Sequence, residues 1–187
     1  MVRLPAAAFG CGLFIAAAAL AGCAGDNNPQ AGLPSFYQSL ASADAKLDAN
    51  AAQAMISGYR GNNGLGAVVI DPELMRLAAE QARAMATRDK LDHDAWRPFQ
   101  ERIRQSHFDA SVAVENIGAG YHTLAEAFSG WRDSPPHRAN MLNRAVTKMG
   151  IAAVYAPQSK YKVFWSLILA CPDEQHQGEP RPRQSNS

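Results

Sequence analysis

The chain has 187 residues and carries 18 basic against 17 acidic side chains, a formal net charge of +1. This balance, with no basic stripe anywhere along the sequence, speaks against a nucleic-acid-binding surface. Between a polar segment at Gly25–Pro34 and a tail from Pro172 to Ser187 lie about 135 residues, enough for one domain with its own core.

The N-terminus reads Met1-Val2-Arg3, then an apolar run from Leu13 to Ala21, then Leu20-Ala21-Gly22-Cys23. A cationic start, a short apolar core and small residues before a cut site make an export signal. The run falls short of the ~20 apolar residues that a permanent span requires. Leu-Ala-Gly-Cys resembles a bacterial lipobox, so residues 1–22 are read as a lipoprotein signal peptide and Cys23 as the acylated residue. The plainer alternative is an ordinary signal cut near Ala21 or Ala24. Two acyl chains give stable attachment, so the expected partner of this end is a membrane, reached through lipidated Cys23. Ala24 resembles an outer-membrane sorting signal of Gram-negative type. Residues 23–34 then form a flexible tether. Removing Arg3 leaves basic and acidic side chains in balance. With Cys23 lipidated, Cys171 has no intrachain partner and is expected to be buried beside Leu167-Ile168-Leu169-Ala170.

The folded domain is expected over residues 35–171. From Ser35 to Tyr59, Phe36, Leu40, Leu47, Ala51, Ala54 and Met55 recur at helical spacing, and Gly61-Asn62-Asn63-Gly64 ends that helix. Asp71-Pro72-Glu73 is a helix start: an N-cap acceptor, a proline at the first position and an acid at the positive helix end. Leu74, Leu77, Ala78, Gln81 and Met85 then share a face up to Lys90. Pro98 starts a short helix carrying Phe99 and Ile103. Ser111–Ile117 reads as a strand with Val112 and Val114 on one side. Thr123 and Glu126 have capping-box spacing for a helix over 124–132. Ser134-Pro135 repeats the start signal for 136–143. Strands near Lys148–Ala156 and Lys160–Ala170 join through Pro157-Gln158-Ser159. The order predicts an α+β domain with a mostly antiparallel sheet. Residues 172–187 read as a disordered tail.

Three chemistry-bearing pieces stand apart: His93, the triplet Glu115-Asn116-Ile117, and Trp131-Arg132-Asp133-Ser134-Pro135-Pro136-His137-Arg138-Ala139-Asn140. With Ile56-Ser57-Gly58-Tyr59-Arg60, Asp71–Met85 and Met149-Gly150-Ile151-Ala152 in the same order, they resemble the bacterial branch of the CAP (SCP-like) superfamily. This is the family of cysteine-rich secretory proteins, venom antigens and pathogenesis-related proteins. The resemblance covers about Met55 to Ala170 and implies a three-layer α-β-α sandwich. It also implies a cleft lined by two His and two Glu that takes a divalent metal in some members. His93, Glu115 and His137 carry over. The second Glu does not, its place near Trp131 being taken by Asp133 or Ser134.

The expected ligand cleft therefore comprises His93, Glu115, Asn116, Ser134, His137 and Asn140. His93 and His137 are the candidate metal ligands, for zinc or another divalent cation, and Glu115 is the candidate general base. Arg138 is the candidate ion-pair partner of Glu115. No G-x-S-x-G elbow surrounds Ser134, which speaks against a serine nucleophile. Two functions follow. The first is an exported, lipid-anchored binding module for a metal ion, small molecule, lipid or protein, sited outside the cytoplasm. The second is a metal-dependent hydrolase of envelope or extracellular substrates, with Glu115 as base. No nucleic-acid partner is expected.

Overall fold

The computed structural model describes residues 32–173. The predicted signal peptide, Cys23, most of the tether and the tail from residue 174 lie outside the described residues. Within them the chain forms a short 3-10 turn at Ser35–Tyr37 and the helices α1 (Ala49–Asn62), α2 (Pro72–Arg88), α3 (Phe99–Gln105), α4 (Leu124–Asp133) and α5 (Pro135–Met141). The strands are β1 (Val69–Ile70), β2 (Ala110–Ala119), β3 (Lys148–Tyr155) and β4 (Val163–Pro172). The fold is α+β, as the element order predicts.

Two of the expected caps form where the sequence places them. The Asp71 side chain accepts from the backbone N–H of Glu73 and Leu74 at the head of α2, and Thr123 with Glu126 closes a complete capping box on α4. The expected helix from Ser35 does not run unbroken. Asp48 accepts the Ala51 N–H and nucleates α1 fourteen residues later than the apolar pattern suggests. Between them, Leu40 reaches the core from an irregular segment whose N–H is held by the His122 carbonyl.

The sheet order is β1-β3-β4-β2. β4 pairs antiparallel with β2 and β3, but β1 lies parallel to β3 through Val69–Lys148 and Ile70–Met149. The sheet is therefore mixed, not mostly antiparallel as expected. Two residues are too few to leave a periodic signal, so β1 was invisible in the pattern.

Residues 163–170 of β4 are all buried, the mark of a strand covered on both sides. Val163, Trp165, Leu167 and Leu169 pack with Ala52 and Ile56 of α1 and Leu124, Ala127 and Trp131 of α4. Ile168 and Ala170 pack with Leu74, Leu77 and Ala78 of α2 and Ile103 of α3. Cys171, at the end of this run, is half-buried rather than fully buried. Arg60 of α1 is buried and donates to the carbonyls of Gly66, Met141, Asn143 and Val146, tying the exit of α5 to the core. Burial alone lowers its pKa.

α2 lies directly on β3 at Gly150, where an added Cβ would meet the Leu74 carbonyl carbon at 2.1 Å. The obstacle is helix backbone, which a rotamer change cannot clear. Gly150→Ala is expected to destabilise the domain by about 1–3 kcal/mol, the usual cost of overpacking. Thermal unfolding should show this as a lower Tm, whereas Gly58→Ala, with open space at its Cβ, should leave Tm unchanged or slightly raised.

Candidate functional site

Glu115 projects from β2 into the side of the sheet that α2 and α3 cover, and its side chain is 1% exposed. Burying a carboxylate demands a counter-charge and a full set of hydrogen bonds. Both are present. Arg102 of α3, with a side chain 0% exposed, donates from Nη1 and Nη2 to Oε1 and from Nη2 to Oε2, each at 3.0 Å. The Ser166 hydroxyl on β4 donates to Oε1 at 3.2 Å, and His93 Nδ1 lies 2.9 Å from Oε2.

His93 sits on the loop between α2 and α3. Asp89 ends α2 in a left-handed conformation with φ of 48°, and buried Gln81 then holds the loop by donating to the carbonyls of Asp92 and His93. Arg102 reinforces it, with Nε on the Arg97 carbonyl and Nη2 on the His93 carbonyl. The imidazole itself is 51% exposed. A carboxylate only accepts, so Nδ1 carries the proton in this contact and Nε2 is left for a ligand. The hydrogen bond from His93 to Glu115 raises the His93 pKa, with burial opposing it.

His137 and Asn140 reach β2 from α5. Asn116 donates from Nδ2 to the His137 carbonyl at 3.0 Å, and Asn140 donates from Nδ2 to Asn116 Oδ1 and to the Glu115 carbonyl. No hydrogen bond among the described residues engages the half-buried His137 ring. Desolvation lowers its pKa, and the nearby His93 charge lowers it further. A cavity of about 430 Å3 opens along the β2 edge, lined by His93, Phe99, Val114, Glu115 and Asn140.

The structure thus joins His93 to Glu115 directly and ties Asn116, Asn140 and the His137 backbone into one network beside them. It does not join Ser134, which stands at the N-cap of α5 without a side-chain cap bond. Arg138 is not the partner of Glu115: it donates to the Arg132 carbonyl, and Arg102 holds the acid instead. Asp133 pairs with Arg132 at the surface. Arg102 and Ser166 carry no expectation from the sequence, and Gln81 is expected only on the inner face of α2. Arg102 carried a signal nonetheless, for Phe99, Arg102 and Ile103 share one helical face, and a cation on an apolar face calls for a buried acid.

The donor set bears on metal binding. Both Glu115 oxygens are already bonded, so the acid orients His93 from behind rather than ligating beside it. Among the described residues, no group of three or more His, Cys, Asp or Glu side chains is placed to hold a metal ion. That leaves two imidazoles as the expected metal donors, His93 with Nε2 unbonded and His137, and His137 is not among the residues that line the cavity at His93.

The family model of the cysteine-rich secretory proteins (CAP) matches residues 53–169, a span that begins in α1 and ends in β4. The chain belongs to the CAP family. It is 28% identical over 103 residues to the uncharacterized protein YkwD of Bacillus subtilis, covering 54% of this chain and 40% of that protein. An extracellular SCP-domain protein of Bacillus anthracis superposes with a TM-score of 0.57 at 21% identity, over 65% of this chain and 39% of the other. An outer surface protein of Borrelia burgdorferi gives 0.60 at 19% identity, over 70% and 96%. This chain therefore spans well under half the length of two of these relatives and nearly all of the third. These likenesses establish the CAP fold.

Two measurements test the network. Arg102→Leu leaves Glu115 buried without its counter-charge and should cost about 3–5 kcal/mol in denaturant unfolding. In an NMR pH titration His93 should titrate above, and His137 below, the ordinary value of about 6.5. His93→Gln removes the opposing charge, so the His137 pKa should rise while staying depressed by burial. The raised His93 value stabilises the fold below about pH 6.5, and that contribution disappears as pH climbs through the folded-state pKa.

Proposed function

We propose that this CAP domain is an extracytoplasmic binding module, anchored to the cell envelope by a lipid on Cys23 with residues 23–34 as tether. Its ligand group sits at the β2 edge between His93 and His137. Two structural relatives, an extracellular protein and an outer surface protein, support the location. The alternating packing of β4 supports a three-layer α-β-α frame for the cleft. A divalent cation such as zinc is the simplest occupant. A small molecule, lipid or protein segment offering a group to the imidazoles is the larger one.

The observation that carries this reading is the bond between His93 Nδ1 and a fully engaged Glu115. A carboxylate that fixes the tautomer and angle of a half-exposed imidazole is the support found behind ligating histidines. The hydrolase reading needs a Glu115 oxygen free to accept a proton, and both are already bonded, so binding is the better account.

Zinc at a hundredfold over its Kd should raise Tm by roughly 5–10 °C, and His137→Ala should abolish the rise. Because ligating imidazoles must be neutral, the affinity should fall as pH drops through the raised His93 value. A parent protein whose Tm ignores zinc at pH 7.5 would remove the cation from the proposal.

A further inference from the structure

The opposite edge of the sheet carries a second, separate site. β1 covers only Lys148 and Met149 of β3. Beyond them the outward direction of the backbone can be followed bond by bond. The Thr147 and Met149 carbonyls accept from Val69 and Asp71, and the Ile151 N–H donates to Met75 Sδ. Backbone groups in an antiparallel strand alternate sides, so Ala153 and Tyr155 point the same way. The Ala156 N–H, which donates to Lys162 across the hairpin, faces β4 as the alternation requires. No partner among the described residues meets the outward groups of Ala153 and Tyr155. From Ile151 to Tyr155 this edge carries neither charge nor proline, the devices that ordinarily guard an exposed strand.

Cavities flank this edge on both faces. One, of about 470 Å3, lies against α2 and is lined by Arg83, Thr87, Val154 and Ala156. The other, of about 440 Å3, is lined by Leu40, Leu47, Ala153 and Tyr155. Both share Val154, Tyr155 and Pro157. A strand laid along β3 would send alternate side chains into the two. Their chemistry differs. The first holds Arg83, exposed and engaged by no hydrogen bond or ion pair among the described residues. Its acid, Asp89, is already bonded to the Ser159 hydroxyl. The second is walled by leucine, alanine and tyrosine.

We propose that the free edge of β3 at Ala153–Tyr155 is a docking site for an extended segment of a partner protein in which acidic and apolar residues alternate. The segment adds as a further strand, its main chain bonding Ala153 and Tyr155. An acidic side chain meets Arg83, and the neighbouring apolar one enters the Leu40–Leu47 cavity. The site shares no residue with the imidazole cleft, so either can fail alone.

The probe is the blocked pentapeptide Val-Glu-Val-Glu-Val added to the 15N-labelled full chain. It should shift the amide resonances of Ala153 and Tyr155 and slow their hydrogen exchange. A Val-Lys-Val-Lys-Val counterpart should bind at least about tenfold more weakly, and Arg83→Glu should reverse that preference, since like charges facing each other are repulsive. Ala153→Pro, which removes an outward N–H and leaves the β4 ladder intact, should abolish binding of the acidic peptide. The proposal is overturned if the acidic peptide leaves these amides unmoved up to about 1 mM. Shifts confined to the His93 cleft, or indifference of the preference to Arg83→Glu, would overturn it equally. Protection of Ala153 that rises with protein concentration alone would assign the edge to a second copy of the chain instead.

Discussion

The Glu115 carboxylate and the Arg102 guanidinium form the interaction on which the cleft depends. Neither group is tolerable alone in a core built from Leu, Ile, Phe and Trp, because an unpaired buried charge is far costlier than a lost surface contact. Together they satisfy each other, and their remaining hydrogen-bonding capacity fixes the surroundings. Arg102 also holds the carbonyls of Arg97 and His93, while Glu115 takes the Ser166 hydroxyl and the His93 ring. One ion pair thus sets a helix, two strands and a loop relative to one another. Exposure of His93 and burial of Glu115 are two sides of the same arrangement: the acid is hidden so that the imidazole can be presented.

The site lies at an edge of the sheet, which explains how it gathers residues from opposite faces. β2 has β4 on one side only. Its outward carbonyls at Glu115 and Ile117 accept from Asn140 Nδ2 and Trp131 Nε1, side chains carried on α5 and α4. These bonds cover the buried half of the edge and bring α5, with His137, over it. Ala113 and Val114 remain partly exposed, and there the cavity opens. The two imidazoles acquire opposite tendencies, since Glu115 favours a proton on His93 and that charge opposes one on His137. The two imidazoles therefore differ in how readily they take up a proton, His93 more so than His137.

Much of this was written locally. The Asp71-Pro72-Glu73 start, the Thr123–Glu126 capping box and the apolar stripe of α2 act within one or two helical turns, so the sequence displays them. The strand expected near Lys160–Ala170 is present as β4. The first helix misled because Phe36, Leu40 and Leu47 do line a core, but from an irregular segment: burial produced the pattern, and the Asp48 cap decided where the helix begins. β1 failed for the opposite reason, being too short for any period to emerge. Arg138 was the natural partner for Glu115 by proximity to His137 in the sequence, and Arg102 won because α3 packs against the face of β2 that Glu115 occupies.

The sequence by itself determined most element types, the caps of α2 and α4 and the identity of the residues available for chemistry, because backbone propensity and capping act over a few neighbours. Tertiary structure alone decided which acid meets which base, which strand edge stays open and which His93 nitrogen is bonded to Glu115. Those outcomes depend on contacts between segments 13 to 86 residues apart, and no local pattern encodes the direction from which a distant side chain arrives.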